Sequence, residues 1–273
     1  MHDDIHPALG AHRCYGVERR SSGPALRIQD TIAEEAPVAL VYNGFSHAVM
    51  LATPQDLDEF ALGFSLSEGI AASAREVHDI EVIEHATGHE VRMQLAGERF
   101  AHMRARRRAL AGRTGCGLCG IESLSQLVER PLPPARLADS AIAAGALRRA
   151  QTELQSLQPL FQLTGAVHAA AWCRNDGSVV LVREDIGRHN ALDKLIGAIA
   201  ACGTGYDDGF VLMTSRASYE IVQKASTVGI AAIAALSAPT GMAVRLAEAA
   251  GVTLIGFARG DCHSVYTHPQ RIH

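Results

Sequence analysis

The chain has 273 residues, a formal net charge of −4 and 20% charged residues, and it contains no repeats or low-complexity segments. This length accommodates one large or two modest domains, each with its own buried core. The charge balance excludes non-specific attraction to nucleic acid or to a membrane surface, so any anion must be bound by a local cluster of side chains.

The first 24 residues are predicted to form a flexible arm. Their acidic beginning lacks the apolar stretch of a secretory signal, and the longest apolar run, residues 228–238, is well short of the roughly 18 residues that a membrane span needs. We therefore expect a cytoplasmic protein with no membrane partner. Its six unevenly spaced cysteines would remain thiols in that compartment.

A smaller α+β domain is predicted over residues 25–136. Apolar runs on both sides of Asn43-Gly44 predict a β-hairpin, and a second hairpin is predicted to turn at Thr87-Gly88. Between them we predict a helix that Thr53 caps. The apolar face of that helix consists of Leu57, Phe60, Ala61 and Phe64.

A basic run and a pair of cysteines follow. The four arginines of the run are typical of a solvated helix face, and the alternative is a docking patch for an acidic partner or a phosphate; they are Arg104, Arg106, Arg107 and Arg108. The cysteines, Cys116 and Cys119, lie between glycines and precede a short predicted helix over residues 121–128. A proline-rich linker then predicts a domain boundary near residue 136.

From residue 137 to 273 the pattern alternates between helices and strands. A predicted helix over residues 139–157 is followed by a hairpin that turns at residues 175–177, and then by repeated helix-strand units. Such units favour a mostly parallel sheet covered by helices, which is an α/β layer domain.

Three predicted strand ends in this domain carry an arginine, namely Arg188, Arg216 and Arg259. Ligands of open α/β sheets collect beyond the carboxyl ends of the strands, and two of these arginines lead into helix N-termini, which favour anions. Because a planar guanidinium suits phosphate, we interpret the three as a candidate polyphosphate cradle, and a structural arginine-carboxylate network is the alternative. Carboxylates at the same ends could accept hydrogen bonds from a base or ribose; they are Asp185, Glu220 and Asp261.

Three polar residues near these ends have ordinary structural interpretations. Asn190 follows His189 at the start of a helix, and the pattern favours a capping role for Asn190. His168 lies in an apolar strand, which is typical of a hydrogen-bonded core histidine, with a catalytic role as the alternative.

The two cysteines of the CxxC allow three chemistries. A structural zinc site needs four ligands, and the remaining cysteines are solitary, although scattered histidines could complete one. A disulfide switch usually follows a buried strand, and none is predicted here. Flanking glycines permit close approach of a partner, and Arg113 with the following predicted helix start is expected to favour a thiolate. This combination favours a persulfide relay.

Several long motifs resemble the FdhD family, the formate dehydrogenase accessory sulfurtransferases. They are "GCGLCG", "EDIGRHNALDKLIG", "SRASYEIVQKA", "TGAVHAAA" and "GFARGDCHSVYTHPQRI", in this order. The resemblance implies a cytidine-deaminase-like fold for the larger domain. It also implies a homodimer that takes sulfur from a cysteine desulfurase. That sulfur passes to the molybdenum bis(molybdopterin guanine dinucleotide) cofactor, which is then inserted into formate dehydrogenase.

The resemblance also implies roles for individual residues. It places the persulfide carrier on Cys116, with Cys119 as assistant or second carrier. The cofactor contact falls on Phe257, Ala258, Arg259, Gly260, Asp261 and Cys262. The strand-end argument independently leads to the same crevice, which we expect Arg188, His189 and Arg216 to line. Guanine nucleotides such as GDP are expected to mimic the cofactor. No structural metal is expected.

Three rival functions follow from the same residues. A zinc deaminase needs a glutamate two positions after its histidine, and Ala170 stands there after His168. A thiol-disulfide oxidoreductase would cycle the CxxC without a sulfur donor. A non-catalytic chaperone would bind the cofactor and tolerate loss of both cysteines.

Overall fold

The computed structural model describes residues 10–108, 141–143 and 145–273. Its strands are β1 (His12–Arg19), β2 (Leu26–Ala33), β3 (Ala36–Tyr42), β4 (Phe45–Ala52), β5 (Val77–His85), β6 (Gly88–Leu95), β7 (His168–Cys173), β8 (Val179–Asp185), β9 (Phe210–Met213), β10 (Ala232–Ala235), β11 (Thr253–Arg259) and β12 (Cys262–Thr267). Its α-helices are α1 (Leu57–Ser67), α2 (Gly97–Arg108), α3 (Ala146–Ser156), α4 (Pro159–Thr164), α5 (Arg188–Ala201), α6 (Tyr219–Val228) and α7 (Gly241–Ala250). A mixed α/β architecture is thus confirmed.

Strands β1 and β2 form an exposed two-stranded antiparallel ribbon. Its register runs from His12 opposite Ala33 to Arg19 opposite Leu26. The prediction of a flexible arm over residues 1–24 is therefore wrong for His12–Arg19, which form a regular strand. This strand could not be predicted from the sequence because its ribbon faces solvent and its polar side chains produce no buried apolar run.

The four strands that follow form a sheet in the order β4-β3-β6-β5. The predicted hairpin at Asn43-Gly44 is confirmed, with φ of 48° and 79° at the two turn residues. The second hairpin is also confirmed, although its turn lies at residues 86–87 because β6 begins at Gly88. Helix α1 covers this sheet with the predicted apolar face of Leu57, Phe60, Ala61 and Phe64.

The start of α1 differs from the prediction. Thr53 does not cap the helix; the N-cap position belongs to Asp56, in a left-handed conformation at φ 53°. Thr53 is fully buried and bonds to the end of β8 instead. Its backbone N–H donates to Asp185 Oδ2 at 2.9 Å, and its Oγ1 accepts the Ile186 N–H at 3.1 Å. A contact across more than 130 residues has overridden the local capping signal.

The larger sheet has six strands in the order β12-β11-β10-β9-β7-β8. Only the neighbours β9, β10 and β11 pair in parallel, whereas β7 is antiparallel to both β8 and β9, and β12 is antiparallel to β11. The antiparallel pairings outnumber the parallel ones, so the prediction of a mostly parallel sheet is wrong. The final strand, β12, forms a hairpin with β11 that the helix-strand repeat did not predict.

Helices cover both faces of this sheet. One core contains Ala170, Trp172, Val211 and Met213 together with residues of α1, α5, α6 and α7. The opposite face packs against α3, which begins at Ala146 rather than at the predicted residue 139. Ile142, inside that predicted helix, instead bridges to Ile272.

The packing of α1 on α5 makes the core continuous across both predicted domains. The predicted boundary at residue 136 and the predicted helix over residues 121–128 lie outside the described residues, so the domain division stays a prediction. Within the described ranges, no helix has both the length and the apolar composition of a membrane span.

Candidate functional site

The predicted ligand-binding edge of the larger sheet gathers the ends of four strands. Because β7 is antiparallel to both of its neighbours, β8 runs in the same direction as β9, β10 and β11. The turns that follow these four strands therefore meet at one edge, together with the first residues of β7 and β12. Helices α5, α6 and α7 begin at this edge, so three helix N-termini favour an anion there.

Arg188 is the first residue of α5. Its Nε is buried and has no hydrogen-bond partner among the described groups. No carboxylate of the described chain forms an ion pair with Arg188, Arg216 or Arg259, whereas Arg148, Arg149 and Arg183 each pair with an aspartate or glutamate. The edge therefore holds three guanidinium groups that form no close ion pair with a carboxylate of the described residues, although the charge of Glu220 acts on Arg188.

His189 lies against the start of α6. Its Nε2 is 3.4 Å from Ser218 Oγ and 3.6 Å from Glu220 Oε2. Burial lowers the pKa of His189 to about 4, and the Arg188 charge acts in the same direction while Glu220 opposes it. The contact at neutral pH is therefore between a neutral imidazole and a carboxylate, rather than an ion pair.

Glu220 remains ionised in this environment. Burial raises its pKa, but hydrogen bonds from the Ser218 hydroxyl and its own backbone N–H, with the charges of His189 and Arg188, lower the pKa overall. His168, at the start of β7, has a pKa lowered by partial burial and by Arg188. It is only half-buried, so the interpretation of a hydrogen-bonded core histidine does not describe it well.

Arg216 is exposed in the turn after β9, and the chain around it is fixed by backbone hydrogen bonds. The Leu236 N–H donates to the Met213 carbonyl at 2.9 Å, and the Thr240 N–H donates to the Ala217 carbonyl at 3.0 Å. The turns after β9 and β10 are thus joined to each other by backbone hydrogen bonds.

The β11–β12 hairpin carries the remaining predicted contacts. Phe257 is 47% exposed and adopts a left-handed φ of 51° beside an irregularity in the pairing between Gly256 and Arg259. Arg259 Nε donates to the Leu236 carbonyl at 2.7 Å, which joins this hairpin to the end of β10. Cys262 lies opposite Arg259 and is exposed, whereas Ala258 is fully buried.

Gly260 and Asp261, at the tip of the same hairpin, contact helix α3. The Gly260 N–H donates to Gln151 Oε1 at 2.9 Å, with Gly260 at a left-handed φ of 58°. Asp261 pairs with Arg148 at 2.9 Å on the exposed surface. Gln151 supports the site without any signal in the sequence, because 109 residues separate it from Gly260.

Two sequence interpretations are corrected at this edge. Asp185 is fully buried and accepts four hydrogen bonds from the chain itself, so it is not available to a base or ribose. Asn190 does not cap α5, whose N-cap position is Gly187; its amide bonds to Leu51 and Asp185. Ser218, which contacts His189, was not predicted, although a serine directly before a helix is a recognisable N-cap signal.

The predicted sulfur chemistry cannot be located on the described part of the chain. Cys116, Cys119 and Arg113, together with the side chains of residues 106–108, lie outside it. Of the cysteines that are described, Cys173 is buried in β7, and burial raises its pKa; Cys14, Cys202 and Cys262 are exposed. Within the same ranges, no three His, Cys, Asp or Glu side chains are grouped to hold a metal ion.

The rival deaminase interpretation can be tested at Ala170. This residue occupies the position where a zinc deaminase needs its acid-base glutamate, and it is fully buried in the sheet core. The position therefore offers a methyl group in an apolar environment, where no proton transfer can take place.

Comparison with known proteins gives consistent matches along the chain. The sequence model of the family described as FdhD/NarQ matches residues 33–273. A sulfur carrier protein FdhD from Cupriavidus necator is 53% identical over 275 residues, covering 98% of this chain and 95% of that protein. A protein of the same name from Variovorax paradoxus is 52% identical over 244 residues, covering 89% and 87%. The resemblance that the sequence motifs indicate is confirmed.

The fold is also found in a solved structure. It is described as a formate dehydrogenase accessory protein from Desulfotalea psychrophila, and it superposes with a TM-score of 0.77 over 96% of this chain and 100% of that chain. The sequence identity is 23%, so this match concerns the architecture alone.

Proposed function

The chain belongs to the FdhD/NarQ family, and on that premise we propose that it is a sulfurtransferase. It takes persulfide sulfur from a cysteine desulfurase and passes it to the molybdenum bis(molybdopterin guanine dinucleotide) cofactor, which formate dehydrogenase requires. The curated relatives named sulfur carrier proteins support the transfer of sulfur. The cofactor is the substrate of this reaction rather than a resident group.

The carrier step is assigned to the CxxC. The Cys116 thiolate attacks the outer sulfur of the donor persulfide, the sulfur-sulfur bond of the donor breaks, and the donor thiolate leaves. Cys116 then carries the persulfide, and Cys119 assists its release or acts as a second carrier. The charge of Arg113 favours the attacking thiolate.

The observation that carries the proposal is the group of three arginines without ion pairs at the carboxyl edge. A guanine dinucleotide contains a pyrophosphate, and guanidinium groups bind phosphate oxygens through paired hydrogen bonds. Arg188, Arg216 and Arg259 supply the charges, and the N-termini of α5 and α6 supply backbone N–H groups. The exposed ring of Phe257 offers an apolar surface for a base.

Isothermal calorimetry with GDP tests this cradle. Wild type is expected to bind GDP, and Arg259→Ala should bind it roughly 10- to 100-fold more weakly, because a hydrogen bond to a charged group contributes about 1.5–3 kcal/mol. Arg149→Ala is the matched control, since Arg149 pairs with Asp176 in the turn at the opposite edge of the sheet. Equal affinities in the two variants would contradict the cradle.

A non-catalytic cofactor chaperone is the second candidate. It is favoured by the composition of the cradle, which consists of arginines, helix N-termini and Phe257 and requires neither cysteine of the CxxC. A chaperone should support formate dehydrogenase maturation after both Cys116 and Cys119 are replaced by serine, whereas the sulfurtransferase should not. An oxidoreductase, less favoured still, would interconvert its dithiol and disulfide without a sulfur donor.

We also propose that the chain acts in the cytoplasm as a homodimer. Large apolar side chains are exposed on β4 and α4, namely Val49 at 62%, Leu51 at 55%, Phe161 at 45% and Leu163 at 55%. Each of these two elements thus exposes a pair of large apolar side chains, and exposed apolar surface is a feature of protein interfaces. Light scattering should give twice the chain mass, and a single-chain mass at micromolar concentration would contradict the dimer.

A further inference from the structure

The turn between β8 and α5, residues 186–187, leads directly into Arg188 and His189, the first two residues of α5, and hydrogen bonds hold its backbone. The Ile186 N–H donates to Thr53 Oγ1 at 3.1 Å, and the Gly187 N–H donates to Asp185 Oδ1 at 2.7 Å. Both backbone N–H groups of the turn are thus satisfied. The two residues that follow them carry the side chains of the candidate site.

Asn190 connects this turn to the smaller sheet. It is 4% exposed, and its Nδ2 uses both hydrogens, donating to the Leu51 carbonyl at 2.8 Å and to Asp185 Oδ1 at 3.0 Å. A carbonyl of β4 and a carboxylate at the end of β8 are thereby bridged by one amide. An aliphatic side chain would leave both acceptors without this donor.

Asp185 is the other half of the bridge. Its Oδ2 accepts the Thr53 N–H at 2.9 Å and the Lys194 ammonium at 2.8 Å, while its Oδ1 accepts Gly187 and Asn190. Four donors use the roughly four acceptor positions of a carboxylate. Lys194 is fully buried and balances the charge. The Asp185 carboxylate therefore fixes the chain around it and has no free acceptor position for a ligand.

Gly187 shows how closely the turn is fitted to the amide. A Cβ atom at this position would lie 2.9 Å from Asn190 Nδ2 and 3.3 Å from Asp185 Oδ1. Only glycine leaves the bridge undisturbed, because a Cβ atom less than 3.0 Å from a neighbouring atom would force one of the two to shift. The turn, the amide and the carboxylate therefore form one fixed unit.

We propose that Asn190 is a positioning residue whose amide bridge to Leu51 and Asp185 fixes the direction in which Arg188 and His189 enter the crevice. The inference has two parts. Its ligand side, the effect of Asn190 on nucleotide binding, rests on the proposed function, since it assumes that Arg188 and His189 contact a nucleotide phosphate. Its geometric side, the effect of Asn190 on the position of these two residues, does not depend on any ligand.

The geometric side is tested on the full chain by NMR titration of the His189 imidazole in Asn190→Ala and Gly187→Ala. Four groups face this imidazole: Arg188, Ser218, Glu220 and Lys224. Loss of the bridge should release the ring to solvent, so its titration midpoint should rise by more than about one pH unit toward its ordinary value near 6.5. Tyr42→Phe, which removes a buried hydroxyl contact between Tyr42 of β3 and Ser65 of α1, should not move the midpoint.

The ligand side is tested by GDP calorimetry on the same variants. Asn190→Ala is expected to weaken GDP binding at least about fivefold, and Tyr42→Phe should bind like wild type. An unmoved His189 midpoint in the folded variants overturns the proposal, and so does a moved midpoint with unchanged GDP affinity. If wild type does not bind GDP, the proposed cradle fails, and the His189 titration alone then decides whether Asn190 positions the turn.

Discussion

Gly63 of α1 and Asp193 of α5 are in direct backbone contact, because the carbonyl oxygen of Asp193 occupies the space that a Cβ atom on Gly63 would need. The relationship is reciprocal: Gly197 of α5 leaves no room for a Cβ atom against the carbonyl oxygen of Glu59 in α1. The two helices cross at this point with backbone against backbone. The crossing attaches the smaller sheet and α1 to the helix that begins at the candidate site.

Gly63→Ala is therefore expected to destabilise the fold by about 1–3 kcal/mol or more, because the added methyl group must force α1 and α5 apart. Gly197→Ala should have a similar effect. Urea denaturation gives the free energy of unfolding. Gly97→Ala is the control, since a Cβ atom at Gly97 meets no neighbouring atom within 4 Å; a loss at Gly97 equal to that at Gly63 would refute the crossing as the cause.

Lys224→Met is expected to destabilise the protein by about 3–5 kcal/mol, because it leaves a buried carboxylate uncompensated. The Lys224 ammonium lies 2.9 Å from Asp193 Oδ2 and 2.9 Å from Glu68 Oε1, with Lys224 and Asp193 almost completely buried. Burial raises the pKa of Asp193 while Lys224 lowers it. In the variant the loss of stability relative to wild type should shrink as the pH falls, since Asp193 then becomes protonated.

The exposed pair of Arg149 and Asp176 provides the contrast. Arg149→Met should leave the free energy of unfolding close to that of wild type, because solvent screens an exposed pair. Comparable losses in the Lys224 and Arg149 variants would show that burial does not make the first pair important.

His189 should make folding pH-dependent on the acidic side. Burial, followed by the Arg188 charge, lowers its pKa to about 4, below the ordinary value of 6.5. The unfolded chain therefore binds the proton first, and this contribution to stability, complete above about 6.5, is lost as the pH falls toward 4. In His189→Gln the free energy of unfolding should fall less steeply over that range in urea titrations. Parallel curves for variant and wild type would rule out the assigned environment.

Much of the site could be predicted from the sequence because its residues lie at strand ends. Arg188, Arg216 and Arg259 each follow an apolar run, and the topology of α/β sheets brings such ends to one edge. The hairpin at Asn43-Gly44 was predictable because its turn is decided by two adjacent residues. Structural signals that depend only on neighbouring residues in the sequence therefore remain valid in the folded protein.

The parts that could not be predicted depend on distant partners. Thr53 has the sequence context of a helix cap, yet it bonds to Asp185, more than 130 residues away. Asp185 has the context of a ligand acceptor, yet four groups of the chain use its oxygens. Once tertiary partners satisfy a polar side chain, its position near a strand end no longer indicates function.

The proposed sulfur transfer requires Cys116 to carry persulfide sulfur. Intact-protein mass spectrometry after incubation with a cysteine desulfurase and cysteine tests this role, with Cys116→Ser, Cys119→Ser and, as a control for an exposed thiol, Cys262→Ser. We expect a reductant-sensitive gain of about 32 Da per sulfur in wild type and Cys262→Ser, and its loss in Cys116→Ser. A gain that persists in Cys116→Ser, or no gain in wild type, would show that Cys116 is not the carrier.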